Sequence, residues 1–459
     1  MALYDRPIGT ETYAAIRFGV GLPGRGAPVT AEAMLAGLAG PDAMAAAYPR
    51  IGFDAAAALF LEFQQARKRA RKAMRDADPD VRALRRRLVG AYADGFAAEL
   101  VRNVETVDPL RERLARFWEN HFAAGAKNAV TRAGAAGYAD EAIRPHVAGR
   151  FADLLKAAVT HPFMLVYLDQ TDSVGPNSRL GRKRGRGLNE NLAREVLELH
   201  TLGVGGPYTQ ADVTQFAELL TGLRYSHKRG AAFVPGAAEP GAETVLGIAY
   251  GGDKAQLSDI HAALDDLAVH PATAAHLSAK LAAHFVADEP DRDLVVRMTA
   301  AWRASDGDLM AVYAAMLEHP AAWRGFGAKV KSPMDFVTSA LRALEFRAED
   351  FGKVKPKQIQ RRILGPMRLM GQTYQQPPGP DGFPDAAPAW TQPFGLASRI
   401  AWAMRAPRAL GRLAPDPRDF VRTALGDAAS EPLLWAVSVA ETRPEGVGVA
   451  LASAEFNRR

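Results

Sequence analysis

The chain has 459 residues, 48% of them hydrophobic, and a formal net charge of +6 from 57 basic and 51 acidic residues. That is enough apolar material for a large buried core, and the charge is too mild for a general nucleic-acid binder. The absence of cysteine excludes disulfides, thiolate metal sites and cysteine nucleophiles.

Aromatic residues make up only 8% and alanine is abundant, a composition that favours helix over strand. No stretch approaches the ~20 apolar residues that a membrane-spanning helix needs. Residues 1–21 show no charged segment followed by an apolar core, so neither a secretory nor a twin-arginine signal is read there, and a cytoplasmic location is expected.

In chain order, Thr30 is the expected cap of a helix over 31–39. The pattern is helical from Phe53 to about Asp78, and Pro79 begins a second helix. These two carry the basic runs Arg67, Lys68, Arg69, Arg71, Lys72 and Arg82, Arg85, Arg86, Arg87. A short charge run reads as a solvated face, and no aromatic residues interleave with it to stack bases. Over 108–123, Leu110, Leu114, Phe117, Trp118, His121 and Phe122 share one face of a 3.6-residue period, which places His121 among apolar residues. A helix over 148–168 breaks at His161-Pro162, where a second begins, because proline is tolerated in a first turn.

Residues 171–187 read as a loop rich in Gly, Ser, Asn and Arg, and 188–200 as a helix. Thr209 and Asp212 form a capping-box-like start for the next helix, whose buried stripe is Val213, Phe216, Ala217 and Leu220. Residues 232–234 and 244–246 flank a Pro-Gly-rich stretch and predict one β-hairpin. Helices return over 256–350, a proline-rich loop fills 351–394, and helices run from near Leu396 to the end. The expected fold is all-α: a compact multi-helix body with a duplicated helical unit and one small hairpin insertion. Its parts are an N-terminal helical part (1–229), the hairpin (230–255), a second helical unit (256–350) and a C-terminal part (351–459).

The duplication is read from two ordered sets of residues. Leu114, Trp118, His121-Phe122, Gly149, Leu154 and His161-Pro162 match Leu277, Leu281, His284-Phe285, Gly307, Val312 and His319-Pro320. A repeat of 110–165 at 256–350 would pack about a pseudo-twofold axis, with its histidines as core and capping residues rather than ligands.

The highest polar density lies over 188–200. Asn191, Glu195 and Glu198 line up on one side of the helix, with Glu190 and Arg194 beside them and His200 on the far flank of the apolar sector. Carboxylates and histidines on facing helices can hold a divalent metal, here His121, Glu190, Glu195 and Glu198. They can equally act as general acid and base, with Glu195, Glu198, Arg194 and His200 as the catalytic candidates. The plain alternative is an amphipathic helix with an Arg194–Glu190/Glu198 ion-pair ladder. Neither the Glu-x-x-His nor the His-Glu-x-x-His spacing is present. Arg182, Lys183, Arg184 and Arg186, in a basic loop leading into this helix, are candidates for anion binding. They do not form a Walker loop, and there is neither a Gly-x-Ser-x-Gly elbow nor a dinucleotide fingerprint.

Several blocks, taken in order, resemble one bacterial family. They are Arg17-Phe18-Gly19, Phe117-Trp118-Glu119-Asn120-His121-Phe122, His161-Pro162-Phe163-Met164-Leu165, the long string from Gly187 through His200-Thr201-Leu202-Gly203-Val204, Tyr208-Thr209-Gln210-Ala211-Asp212-Val213, His270-Pro271-Ala272-Thr273, His284-Phe285-Val286-Ala287-Asp288 and Lys331-Ser332-Pro333. The family is that of the domain of unknown function 1800. The resemblance implies an all-helical protein. It also implies a partner encoded nearby, a sulfatase-like protein with a twin-arginine export signal, with which this chain could share a pathway, a complex or export to the periplasm. Two positions depart from the family pattern: Ala238 stands where a histidine is common, and Leu223 where a tryptophan is. A family site that used those residues would be altered here. Two functions follow as expectations: a metal- or acid/base-dependent enzyme with its site on the 188–200 helix, or a non-enzymatic scaffold or chaperone for the sulfatase-like partner.

Overall fold

The computed structural model describes residues 7–74, 78–184, 187–352, 356–410 and 413–459. Helices take 65% of the chain, and strands form only two small antiparallel pairs among the described residues, so the all-α expectation holds. No described helix is long and apolar enough to cross a membrane.

Helix α1 (Phe53–Lys72) and α2 (Pro79–Glu105) follow the predicted break at Pro79, with Asp78 accepting the Asp80 and Val81 amides at 2.9 and 3.2 Å. Their basic runs are exposed, as a solvated face should be. Helix α3 (Pro109–His121) is capped by Asp108, and α4 (Ala129–Tyr138) packs across α1 and α2. The α2–α4 crossing is close because Gly95 faces Ala136; a Cβ there would lie 2.6 Å from the alanine methyl.

Helix α5 (Phe151–Thr160) ends where His161 caps the short helix Pro162–Tyr167. Helix α6 (Asn191–Glu195) continues as a π-helical turn, Val196–Thr201, and α7 (Gln210–Leu219) opens with the expected Thr209–Asp212 capping box. The β segment differs from the single hairpin read in the sequence. Strand β1 (Leu223–Ser226) pairs with β2 (Gly230–Phe233), and β3 (Gly241–Val245) with β4 (Ile248–Gly252), so 232–234 and 244–246 belong to different hairpins. The second turn is a two-residue Leu246-Gly247 loop with φ of 51° and 80°, the left-handed pair that suits the twist of a tight hairpin.

Helices α8 (Leu257–Val269), α9 (Pro271–Phe285), α10 (Arg292–Ala304) and α11 (Leu309–Leu317) complete the first core. Helix α12 (Pro333–Ala343), α13 (Pro393–Ala409), α14 (Pro417–Leu425), α15 (Glu431–Ser438) and α16 (Arg443–Ala452) build a second core with Phe96, Leu100 and Val104 of α2. Two predicted loops are partly helical: 171–187 contains Arg179–Arg184, and 351–394 contains Pro356–Ile359 and Gly365–Leu369.

The two matching segments meet at their glycines. The Phe151 amide donates to the Gly307 carbonyl at 2.9 Å and the Leu309 amide to the Gly149 carbonyl at 3.0 Å. His161 and His319 each take a backbone amide two residues on with Nδ1, at 3.1 and 3.2 Å. Their Nε2 atoms meet Glu141 at 2.9 Å and Asp293 at 3.1 Å. Both are capping residues.

Candidate functional site

The polar residues of 188–200 point in different directions. Glu190 stands just before α6, half-buried at the surface, where it meets Arg194 (3.2 Å), Gln210 (2.9 Å) and Thr214 (2.7 Å). Glu195 and Glu198 are half-buried beside Asp381 of the long loop; burial, then the Glu198 and Asp381 charges, push the Glu195 carboxyl up. Only His200 turns fully inward, helped by the π-helical turn, in which the Thr201 hydroxyl donates to the Val196 carbonyl at 2.7 Å.

His200 packs against His121 and Phe122, with ring centroids 5.8 and 5.0 Å apart. Neither of its ring nitrogens has a protein partner, and burial holds it neutral, pulling its pKa down to about 3. His121 is placed with Nε2 donating to the His200 carbonyl (3.1 Å) and Nδ1 accepting from Lys280 (3.1 Å). Both of its nitrogens are therefore in use. The proposed metal ligands His121, Glu190, Glu195 and Glu198 are thus not brought together, and no group of three or more ligating side chains occurs among the described residues. The ion-pair ladder exists only in part, as Arg194–Glu190.

Arg182 lies on the six-residue Arg179–Arg184 helix and donates to the Asn177 carbonyl at 2.8 Å; it and Lys183 are exposed. Arg186 and the Arg184 side chain lie outside the described residues. The two family departures sit in filled positions: Leu223 and Ala238 are both buried. Beside them Glu239 accepts from Asn177 at 2.9 and 2.6 Å and gives its own amide to Thr221 at 2.7 Å.

The strongest concentration of unusual chemistry lies elsewhere, on α3. Its apolar face is buried as predicted, but so is its polar face: Arg111, Glu112 and Arg113 are at most 5% exposed. Arg144 forks onto Glu112 with bonds of 2.8 and 2.7 Å, and onto Asp42 at 2.7 and 2.9 Å. The outer part of the same face opens on a cavity of about 120 Å³ at the junction of the two cores. Its volume suits a single small ring or a molecule of similar size. The walls combine Tyr138, Phe163 and Trp390 with Glu99, Glu119, Arg113, Arg116, Asp335 and Arg459.

Two carboxylates on these walls are driven apart. Burial alone would push Glu99 up, but the guanidinium of Arg50, 3.0 Å away, with Arg116, Arg102 and Arg144, holds it below its ordinary value. Burial and then the Glu99 charge push Glu119 up; its Oε1 accepts from Gln375 Nε2 at 2.9 Å. The two carboxyls are thus pushed in opposite directions, an arrangement suited to paired acid and base roles. Asp335 meets Arg113 at 3.2 Å and Arg116 at 2.9 Å; burial alone would push its carboxyl up, but these two cations outweigh it and hold it at about 2. Gln375 and Tyr374 line the same space, and the Gln375 Oε1 and the Tyr374 hydroxyl are buried without a hydrogen-bond partner.

Sequence reading missed this site because Glu99, Glu119, Asp335, Tyr374 and Arg459 come from five separated stretches. One signal was available: Glu119 falls inside the Phe117–Phe122 block. No curated protein and no solved structure matches the chain. The family described as a protein of unknown function, DUF1800, matches over residues 29–458, nearly the whole described body, and the chain belongs to that family.

Proposed function

We propose that the protein is an acid–base enzyme acting on a small molecule, with its site in the α3 cavity rather than on the 188–200 helix. One observation supports this reading: Glu99 and Glu119 line one pocket in environments that push their protonation in opposite directions. Glu119 would donate a proton and the Glu99 carboxylate would accept or steady one, while the aromatic walls exclude water. Infrared titration of the full chain tests it. The protonated-carboxyl band at neutral pH should lose one component in Glu119→Gln, while the component from Glu243, whose carboxyl burial and then the Glu218 charge push up to about 7, stays in both proteins. Incubation with a small-molecule extract, followed by mass spectrometry, should then show a component consumed by wild type and spared by Glu119→Gln. A fully ionised Glu119 at neutral pH, or identical consumption by the two proteins, contradicts the reading.

A second reading, a docking partner for a sulfatase-like protein, is favoured by a different feature. Leu396, Ile400 and Met404 form an exposed apolar row on α13, with Phe394 beside it 70% exposed. Co-expression and size-exclusion decide it: co-elution of the two chains, abolished by Ile400→Glu, supports docking, and separate elution opposes it.

A further inference from the structure

The cations around Asp335 outnumber what one carboxylate can serve. Arg113 and Arg116 touch it at 3.2 and 2.9 Å, and Arg459 stands 4.0 Å from Oδ2. Each guanidinium carries five N–H donors, whereas a carboxylate offers about four acceptor positions. The surplus is visible atom by atom. Arg113 Nε, Arg459 Nη1 and the Nε and Nη2 of Arg116 are buried without an acceptor, while Arg116 Nη1 and Arg459 Nε face only the Asp335 carboxylate, at 2.9 and 4.0 Å and out of line for a hydrogen bond. Arg113 and Arg459 are each 2% exposed. All three residues line the α3 cavity. Buried guanidinium donors that meet no protein acceptor are costly, and natural interiors seldom keep them without a ligand to serve.

The nearby carboxylates do not fill this role. Glu99 is engaged by Arg50 at 3.0 Å and by Asn103 at 3.2 Å. Asp385 accepts from His284 at 2.7 Å. Glu119 accepts from Gln375 at Oε1 and forms no ion pair with the three arginines among the described contacts. Arg459 itself is held in place: its amide donates to the Lys329 carbonyl at 2.9 Å and its Nη2 to the His284 carbonyl at 3.1 Å. The free edge of its guanidinium is therefore positioned rather than floppy, as a preorganised receptor requires.

We propose that Arg113, Arg116 and Arg459 form a receptor for one oxyanionic group, a carboxylate, phosphate or sulfate, carried by a small organic molecule whose remainder lies against the aromatic walls of the same cavity. The planar guanidinium fork matches all three groups through paired N–H bonds, which a lysine would not do. The unpartnered Gln375 Oε1 adds an acceptor for a hydroxyl or amino group on the ligand. This inference rests on the cavity being the working site and names the class of substrate it takes.

The test uses the full chain and three simple salts, sodium acetate, phosphate and sulfate, against chloride at matched ionic strength. Calorimetry or thermal shift should show saturable binding of at least one in the millimolar range. The three arms identify which oxyanion fits. Arg116→Gln should weaken that binding by roughly ten-fold or more, the loss expected of a charged hydrogen bond, and Arg116→Lys should restore only part of it. If Arg116→Gln does not fold, Arg459→Gln gives the same comparison. No saturable binding of any of the three, or equal binding by wild type and the glutamine variants, overturns the proposal. Failure here would leave the infrared band of Glu119 in place, whereas failure of the acid–base reading would remove that band and leave oxyanion binding intact.

Discussion

The segment 188–200 and the helix α3 carry similar numbers of charged side chains, yet they put them to opposite uses. On the first, Glu190 and Arg194 lie at the surface in a network with Gln210 and Thr214. On the second, Arg111, Glu112 and Arg113 are enclosed on a face that looks solvated when read as a wheel. A buried charge must find an ionic partner or shift its protonation, while a surface charge needs neither. Unusual chemistry therefore collects around α3, although the more distinctive string of residues lies on the other helix.

The largest expected effect is the removal of a partner from the enclosed face. Glu112→Ala leaves the Arg144 fork with only Asp42 and should destabilise the chain by about 3–5 kcal/mol, the cost of breaking a buried pair. Denaturant unfolding measures it. A loss below about 1 kcal/mol would mean that α3 carries no more than a surface ion pair and would erase the contrast.

A pH experiment probes the one residue of the 188–200 helix that does turn inward. Folding pulls His200 from its ordinary 6.5 down to about 3. Between those values the unfolded chain binds a proton that the folded chain refuses, so stability present above pH 6.5 is lost as the pH falls through this window. His200→Phe keeps a ring between His121 and Phe122 and removes the titration. It should flatten the acid limb of a melting-temperature profile while changing stability at neutral pH by only about 1–2 kcal/mol. An unchanged acid limb would show that His200 is hydrated in solution.

The smallest effect belongs to the outer face. Glu190→Ala removes exposed contacts and should cost no more than about 1 kcal/mol, with a dependence on salt. A loss as large as that of Glu112→Ala would place the two helices on equal terms.

Much of the architecture was legible because it depends on local rules. Thr30, Asp78 and Thr209 cap helices as their types predict, and the proline breaks at Pro79 and Pro162 begin helices. The pairing of strands was not legible, because Leu246, which reads as the end of the 244–246 strand, is instead the first residue of the tight Leu246-Gly247 turn. The acid string over 188–200 suggested one site, but the π-helical turn after Glu195 and the loop carrying Asp381 decide which way each side chain faces, and neither is visible in a helical period. The cavity was hidden for a further reason: α3 is buried on both faces, and periodicity detects only the contrast between an apolar face and a wet one.

The claim that the α3 cavity is the working surface meets its most direct test in a crystal structure of the full chain soaked with whichever oxyanion binds best. The account predicts density for that ion among Arg113, Arg116 and Arg459, within hydrogen-bond reach of the nitrogens that lack acceptors. A cavity holding only ordered water under the same soak would contradict it.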